Sequence, residues 1–350
     1  MDISNLISPE KLEALTKFGI NVAIIIIKIV VVLGVGLLHV AYATYFERKV
    51  IGHMQVRLGP MRVGPHGLLQ PFADGLKLFF KEDIIPANAD KAVFYLAPVI
   101  FMAAAMVNLA VIPFASNFVI ANINLGLLFI FAIAGLGVYG IFIAGWASNS
   151  KYAFIGGLRS SAQVLSYEIA MGLSLVGVMI MAGSLNLTDI VKAQHESIFG
   201  IYAIPQIVAF VIFTLAAVAE TNRTPFDLPE AESELVAGYF VEYSGFRFAL
   251  FFLGEYIAMF IMASLATVCF LGGWTIPWYI TKALPFLTYV PGIFWFLFKV
   301  YAFIFFYYWI RATLPRYRYD QLMAIGWKIF IPIALLNLTV TGLVKILVMR

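Results

Sequence analysis

The chain has 350 residues, of which 62% are hydrophobic and only 12% are charged, with a formal net charge of +4. Because soluble domains carry about 25% charged residues, these proportions exclude a soluble protein and predict a polytopic membrane protein. The single cysteine, Cys269, excludes a cysteine-ligated iron–sulfur cluster and an internal disulfide, and only His39 of the four histidines lies in a long apolar run, which excludes an intramembrane haem held by two histidines.

Apolar runs of about 20 residues, the length that crosses a bilayer as a helix, are the main signal along the chain. Eight such runs predict an all-α membrane protein in a single domain, residues 1–350. They lie at about 18–46, 92–114, 123–147, 160–183, 201–220, 247–272, 290–312 and 324–347. Residues 1–17 are polar and no small-residue cleavage site follows the first run, so this run is predicted to be a retained helix and not a signal peptide.

The lysines and arginines predict how these helices are oriented. Most of them lie in the loops after the first, third, fifth and seventh runs, among them Arg48, Arg57, Arg62, Arg159, Arg223, Arg311, Arg316 and Arg318. Positively charged loops stay in the cytoplasm (or the matrix), so both termini are predicted on the opposite side. Most of these arginines are interpreted as orientation determinants or lipid-headgroup contacts. Lys28, His39 and Lys299, inside the spans, are interpreted as packing residues or snorkelling cations.

The first long cytoplasmic loop, residues 47–91, contains two Gly-Pro pairs, Gly59-Pro60 and Gly64-Pro65. They are followed by apolar residues whose spacing forms a stripe on one face of a short helix: Leu68, Leu69, Phe72, Leu76, Phe79 and Phe80. This pattern predicts an amphipathic helix on the membrane surface, a shape that also suits the frame of a lateral opening to lipid.

The second long cytoplasmic loop, residues 220–246, is acidic. Asp227 and Glu230 have the spacing of a capping box and Pro229 stands near the first turn, which predicts a short helix from about 229 to 240. The cluster Glu230, Glu232, Glu234 and Glu242 is a solvated helix face on one interpretation. On the other, apolar neighbours such as Phe226 and Tyr239 bury the carboxylates together, which raises their proton affinities and suits a proton relay.

Carboxylates within or at the edge of the apolar runs are the sharpest signal for function. Glu168 lies early in the fourth run, Glu220 ends the fifth, and Glu255 lies two turns into the sixth. A charge at the centre of a membrane helix costs at least about 2.5 kcal/mol, so each of the three is a functional hypothesis, with snorkelling or pairing with arginine as the alternative.

Three segments carry a family resemblance: ERKVIGHMQVRLGPMRVGPHGLLQPFADGLKLFFKE, GWASNSKYAFIGGLRSSAQVLSYE and AETNRTPFDLPEAESELVAGYFVEYSG. They resemble the H subunit of proton-pumping NADH:quinone oxidoreductase, the bacterial counterpart of mitochondrial subunit one of respiratory complex I. The resemblance extends from about residue 15 to 345. It implies a subunit of the bacterial inner membrane with both termini in the periplasm.

The resemblance also implies site residues and partners. Quinone is the substrate, no redox cofactor is bound by this chain, and FMN and iron–sulfur clusters belong to partner subunits. The cytoplasmic loops form part of the quinone chamber, with Arg48, Arg57, Arg62, Asp74, Arg223 and Asp227 at the chamber or its entrance. The carboxylates implied in the proton path are Glu168, Glu220, Glu230, Glu232, Glu234, Glu242 and Glu255. The chain is not expected to be active alone.

Three other interpretations remain open on sequence grounds. A secondary transporter or channel shares the helix count and the intramembrane carboxylates, although paired broken helices in two repeated halves are not evident. A purely structural anchor for a redox module predicts that neutralising the acidic loop leaves turnover intact. A homologous subunit of a ferredoxin-, F420- or hydrogenase-linked complex keeps the family and changes the electron donor.

Overall fold

The protein is described here from a computed structural model that covers residues 9–227 and 237–348, with side chains from 17 to 227 and from 237 to 347. Helices dominate this part of the chain, and it contains no strand beyond an isolated bridge between Ala115 and Phe118. The predicted all-α polytopic fold is confirmed. The helices are α1 (Pro9–Met54), α2 (Gln70–Phe80), α3 (Lys91–Asn108), α4 (Gly126–Ala147), α5 (Lys151–Ala182), α6 (Leu187–Glu196), α7 (Ile207–Glu220), α8 (Gly245–Phe270), α9 (Trp278–Ala283), α10 (Gly292–Thr313), α11 (Tyr319–Ile325) and α12 (Ile331–Val348).

Seven helical segments within the described ranges are long and apolar enough to cross a membrane. They are the apolar part of α1, then α3, α4, α5, α8, α10, and the continuous run of α11, a π-helical turn at Gly326–Phe330, and α12. Seven of the eight predicted spans therefore correspond to such helices. The eighth predicted span, 201–220, is α-helical only over α7, because turns that contain Pro205 precede its 14 residues. Helix α7 is about 21 Å long, which is less than the hydrocarbon thickness of about 30 Å.

Several predicted helix ends are also wrong, and always for the same reason. Helix α1 continues to Met54 and α5 begins at Lys151, whereas apolarity predicted 46 and 160. Helix α3 ends at Asn108 and is followed by turns, whereas the second apolar run predicted an end at 114. Hydropathy reports which residues meet lipid, while a helix ends where its backbone hydrogen bonds end, and these two boundaries need not coincide.

Helices α3, α4, α5, α7 and α8 pack into one bundle, and α1, α10 and α12 lie against it. Small residues allow close approach: a Cβ on Gly145 of α4 would lie 2.6 Å from the carbonyl oxygen of Ala153 on α5. The core is aromatic and aliphatic, whereas apolar side chains of α1, α10 and α12 are exposed on the outer surface. Such a surface is expected where helices face lipid or other membrane subunits.

The two long loops differ in how much of them is described. Helix α2 lies in residues 47–91, and its apolar side chains Phe72, Leu76, Phe79 and Phe80 are all exposed. In residues 220–246, positions 228–236 lie outside the described residues, and so does most of the helix predicted at 229–240. The described end of that segment is a 3-10 turn, Gly238–Phe240, which packs against α5.

Candidate functional site

A buried cluster of charges joins α1, α8, α10 and the segment after α7. The carboxylate of Glu47, on α1, accepts hydrogen bonds from Arg223 Nη1 at 3.1 Å and from Arg311 Nη1. It also accepts one from the hydroxyl of Tyr256 at 2.6 Å. Glu47, Arg223 and Tyr256 are each less than a tenth exposed. A buried carboxylate that holds three donors is fully satisfied, so it can remain charged away from water.

The guanidinium group of Arg223 lies outside the helices and is held from two directions. Its Cζ stands 4.4 Å from the ring centre of Tyr256, which is a cation–π contact. Burial by itself lowers the pKa of Arg223, but the neighbouring Glu47 carboxylate raises it, and the net direction is upward. Arg223 is therefore a permanent positive charge. Its Nη2 is buried and has no hydrogen-bond partner among the described residues.

The segment from Glu220 to Asp227 is fixed by polar contacts from other parts of the chain. Gln163 of α5 donates from Nε2 to the carbonyl oxygens of Ala219 at 2.8 Å and Phe226 at 2.7 Å. The buried carboxylate of Asp227 accepts a hydrogen bond from Arg316 Nη2 at 3.0 Å. These contacts fix the position of Arg223, although the segment that contains it is neither helix nor strand.

A small cavity between α3, α4, α7 and α8 brings two of the predicted carboxylates together. Glu220 and Glu255 both line it, together with Asn108 and Asn222, and its volume is about 50 Å³. The Oε2 atom of Glu220 is buried and has no hydrogen-bond partner among the described residues. Since a cavity of about 10–15 Å³ already holds one water molecule, this one has room for a few.

Glu168 lies beside the same region. Its carboxylate interacts electrostatically with that of Glu220, and its Oε1 stands 3.5 Å from the position that a Cβ on Gly135 would take. An alanine at position 135 would therefore be in ordinary van der Waals contact with this carboxylate. The three carboxylates predicted within the membrane helices are therefore neighbours in space, although they come from α5, α7 and α8.

A second cavity, of about 10 Å³, lies next to the first. Arg223, Asp227, Arg311 and Glu255 line it. Glu255 thus lines both cavities, and it also accepts a hydrogen bond from Tyr239 at 3.2 Å. One carboxylate therefore lies between the buried arginine cluster and the cavity that Glu220 lines.

Comparison with known proteins decides the family. A sequence model described as NADH dehydrogenase matches residues 27–342. Among relatives, the H subunit of NADH-quinone oxidoreductase from Rhodospirillum rubrum is 56% identical over 303 residues, which is 87% of this chain and 88% of the relative. The H subunits of the same enzyme from Paramagnetospirillum magneticum and Rickettsia typhi are each 53% identical, over 94% and 95% of this chain and 94% and 96% of theirs.

The chain belongs to the family of NADH-quinone oxidoreductase H subunits. It is thus a multi-pass membrane subunit of an oxidoreductase complex, and the other subunits of that complex are its partners. The matched range contains every residue of the buried arginine cluster and of both cavities.

The other described residues that the family resemblance implied, Arg48, Arg57, Arg62, Asp74 and Glu242, do not lie in the cluster. Arg48 pairs with Asp74 at 2.6 Å on the surface near α2. Arg57 donates to the side chain of Gln55 and is exposed, as is Arg62. Glu242 is half-buried beyond the 3-10 turn. Glu230, Glu232 and Glu234 lie outside the described residues.

Two residues at the centre of the cluster, Glu47 and Tyr256, were missed by the sequence analysis. Glu47 directly precedes Arg48 and Lys49, so it looks like one more charge at the end of an apolar run. The sequence signal for Glu47 was its position directly after the apolar run 18–46, since a helix can continue past the last apolar residue. Tyr256 had no signal beyond its position next to Glu255.

The lone polar residues within the spans have structural partners. Lys299 donates to the carbonyl oxygens of Leu271, Gly273 and Thr275, and Lys28 donates to that of Val119. Across the described ranges, no group of three or more histidine, cysteine, aspartate or glutamate side chains has the geometry to hold a metal ion.

Proposed function

We propose that this chain forms part of the quinone-binding chamber of its complex and couples quinone reduction to proton translocation. The observation that carries the proposal is the position of Glu255, which lines both the cavity of the arginine cluster and the cavity of Glu220. Through it, a change of charge on the cytoplasmic side reaches carboxylates inside the membrane in two short steps.

The arginine cluster is suited to the chamber side of this process. Reduction of a quinone places negative charge on its oxygen atoms until protons arrive, and pre-oriented guanidinium groups stabilise such charge in a site that excludes water. Arg223 has a buried Nη2 that is free to donate, and Arg311 is part-exposed beside it. Glu47 pairs with both cations in the resting state and offsets one of their two positive charges, which lowers the cost of holding them in a low dielectric.

The carboxylates supply the route into the membrane. Glu255, Glu220 and Glu168 come in that order from the cluster inward, and water molecules in the cavity between Glu255 and Glu220 would bridge them. Moving one charge against 100 mV costs about 2.3 kcal/mol, so the transfer must be tied to the quinone chemistry and not run freely. Glu255 and Glu220 meet this condition because the first is buried and the second has a buried carboxylate oxygen, which limits free exchange with bulk water.

The rest of the proposed assignment follows the family. The chain binds no redox cofactor and is not active alone, and electrons come from FMN and iron–sulfur clusters in partner subunits. Helix α2, with Arg48, Arg57, Arg62 and Asp74, frames the quinone entrance, and Asp227 belongs to the chamber. Glu230, Glu232, Glu234 and Glu242 extend the relay in the acidic loop. The chain lies in the bacterial inner membrane with its termini in the periplasm.

The test uses inner-membrane vesicles that carry the variant complex. Glu220→Gln and Glu255→Gln each keep the size of the side chain and remove its proton site, so we expect assembled complex with impaired NADH:quinone activity or impaired proton uptake. Assembly is checked by NADH oxidation with a water-soluble acceptor that bypasses the quinone. Full coupled activity in both variants would refute the relay.

A further inference from the structure

A cavity on the lipid-facing side of the bundle lies apart from the site described above. It is formed where α1, α8 and α10 meet the segment after α3, and its volume is about 190 Å³. Its lining is apolar except for two side chains, His39 of α1 and Tyr301 of α10. Val31 and Val35, at its edge on α1, are about half exposed, so the cavity is accessible from the membrane.

His39 has one unused hydrogen-bonding atom at this cavity. Only 5% of the residue is exposed, and its Nδ1 lies 3.2 Å from the hydroxyl of Tyr301. Its Nε2 is buried and has no partner among the described residues. Leaving a buried polar atom without a partner costs about 1–3 kcal/mol, so a ligand that supplies one is favoured here.

The depth of His39 restricts the chemistry of such a ligand. Glu47 lies in the buried arginine cluster, directly after the apolar run 18–46 of α1. His39 lies within this run, eight residues before Glu47, or about 12 Å along the helix. A charged or zwitterionic headgroup is disfavoured at this depth.

The shape and lining restrict it further. A cavity of about 150 Å³ holds a benzene ring, so this one accommodates a substituted six-membered ring. Aromatic rings form part of its wall: Phe260 lies 4.7 Å from the ring of His39, and Phe114 lies 6.3 Å from Phe260 in a stacked arrangement. A flat, neutral ring with polar atoms at its edge matches both the wall and the free Nε2.

His39 can form a hydrogen bond with such a ring in either of its two neutral tautomers. If Tyr301 donates to Nδ1, then Nε2 carries the proton and donates to a carbonyl; if Nδ1 donates to Tyr301, then Nε2 accepts from a hydroxyl. A quinone offers the carbonyl and its reduced quinol offers the hydroxyl. We infer that this cavity is a second binding site, on the membrane side, for the ring of a quinone or quinol, with His39 Nε2 as its hydrogen-bond partner.

A groove lies next to this cavity, on the side nearer the buried arginine cluster. It has a volume of about 390 Å³, it lies between α1 and α10, and it shares Tyr301 with the first cavity. Its other lining residues on α1, Ala43, Phe46 and Val50, follow His39 toward and past the level of Glu47. The apolar groove offers space for the ligand's tail, or for movement of the ring along the α1–α10 face. This inference rests on the proposed function, because it takes its ligand from that reaction.

The test is photolabelling of the intact complex in membranes with an azido-substituted quinone that carries a long alkyl tail. In the wild type we expect label on the peptides that contain residues 31–39 and 293–301. His39→Phe removes the hydrogen-bonding atom and should lower this label about 2- to 10-fold, whereas His39→Gln, which can still donate and accept, should retain most of it. The two variant complexes should have similar thermal stability. If His39→Phe acted by disturbing the fold, its complex would be less stable than that of His39→Gln.

Three results would overturn the inference: label confined to other peptides, label that His39→Phe leaves unchanged, or label that excess phospholipid displaces and excess unlabelled quinone does not. The last result would identify a lipid-chain site. NADH:quinone activity is measured in the same membranes. Activity without label at these peptides refutes only the second site, whereas absence of quinone reduction in an assembled complex refutes the proposed function.

Discussion

Arg223 donates to Glu47 at 3.1 Å across 176 positions of sequence. The pair joins the C-terminal part of α1 to the segment that leads into the acidic loop, and Arg311 brings the end of α10 to the same carboxylate. Three separate parts of the chain therefore depend on one carboxylate for neutralisation. Because removing one member of a buried ion pair leaves an uncompensated charge, this carboxylate should be among the least replaceable groups in the protein.

Glu47→Gln is predicted to lower NADH:quinone activity at least tenfold and to destabilise the protein by about 3–5 kcal/mol, because the buried Arg223 and the part-exposed Arg311 both lose their counter-charge. The measurement is quinone-dependent NADH oxidation in membranes, normalised to NADH oxidation with a water-soluble acceptor. Thermal unfolding of the solubilised complex reports the second effect.

The matched control is Asp189→Asn, which neutralises a carboxylate in the pair with Lys192 on α6. Both side chains of that pair are at least half exposed, and surface pairs contribute only about 0–1 kcal/mol. Its activity should equal that of the wild type. Equal activity in both variants would show that the buried cluster is not needed for turnover.

The sequence predicted those parts of the fold that burial in lipid or in the core requires to be apolar. Runs such as 92–114 and 247–272 are apolar because they face hydrocarbon or a core, and this constraint is local. Glu220 and Glu255 were found for the same reason, since a carboxylate in an apolar run is costly wherever its partners are. Glu47 was missed because its role depends on its ion pairs with Arg223 and Arg311, and only the tertiary packing brings these residues together.

Arg223→Lys should make the stability of the complex depend on alkaline pH. The pKa of Arg223 is raised above the ordinary arginine value, which itself exceeds about 12, so its contribution is fully present below that value and is not lost between pH 6 and 9.5. Lysine has an ordinary pKa of about 10.4, and the Glu47 carboxylate beside it should raise its folded-state pKa, as it raises that of Arg223. The contribution of the lysine is therefore fully present below about pH 10.4 and is lost as the pH rises above that value, because the unfolded state releases the proton first.

We therefore expect the Tm difference between wild type and Arg223→Lys to be constant from pH 7 to 9.5 and to widen as the pH rises above about 10. The comparison uses the purified complex in one detergent and cancels the titration of groups common to both proteins. Arg223→Gln serves as reference, because it lacks the charge at every pH and its difference from wild type should be constant. A pH-independent difference for Arg223→Lys would contradict the assignment of a charged group at this position.

Filling the cavity between Glu220 and Glu255 should separate quinone reduction from pumping. Ala258 of α8 lines that cavity, and Ala258→Val adds two methyl groups in a space of about 50 Å³. Water that bridges the two carboxylates would be displaced, so proton uptake per NADH should fall to less than half while quinone reduction is less affected. Ala103→Val, an equal change at an exposed position of α3, is the control and should leave the ratio unchanged. An unchanged ratio in Ala258→Val would exclude this cavity from the proton route.

Two glycines of α5 give a matched test of how the end of the acidic loop is held. A Cβ on Gly156 would lie 2.6 Å from the Cα of Gly238, so α5 and the 3-10 turn are in backbone contact, whereas a Cβ on Gly172 meets nothing within 4 Å. Gly156→Ala should force the turn away and destabilise the complex by about 1–3 kcal/mol. Gly172→Ala removes a flexible residue from a helix interior and should stabilise it by about 0.5–1 kcal/mol.

Thermal unfolding of the two purified complexes measures the loss of stability in Gly156→Ala and the gain in Gly172→Ala, and quinone-dependent activity should fall only in Gly156→Ala. If the two alanine variants behaved alike, the close approach of α5 and the turn would not determine the position of the loop.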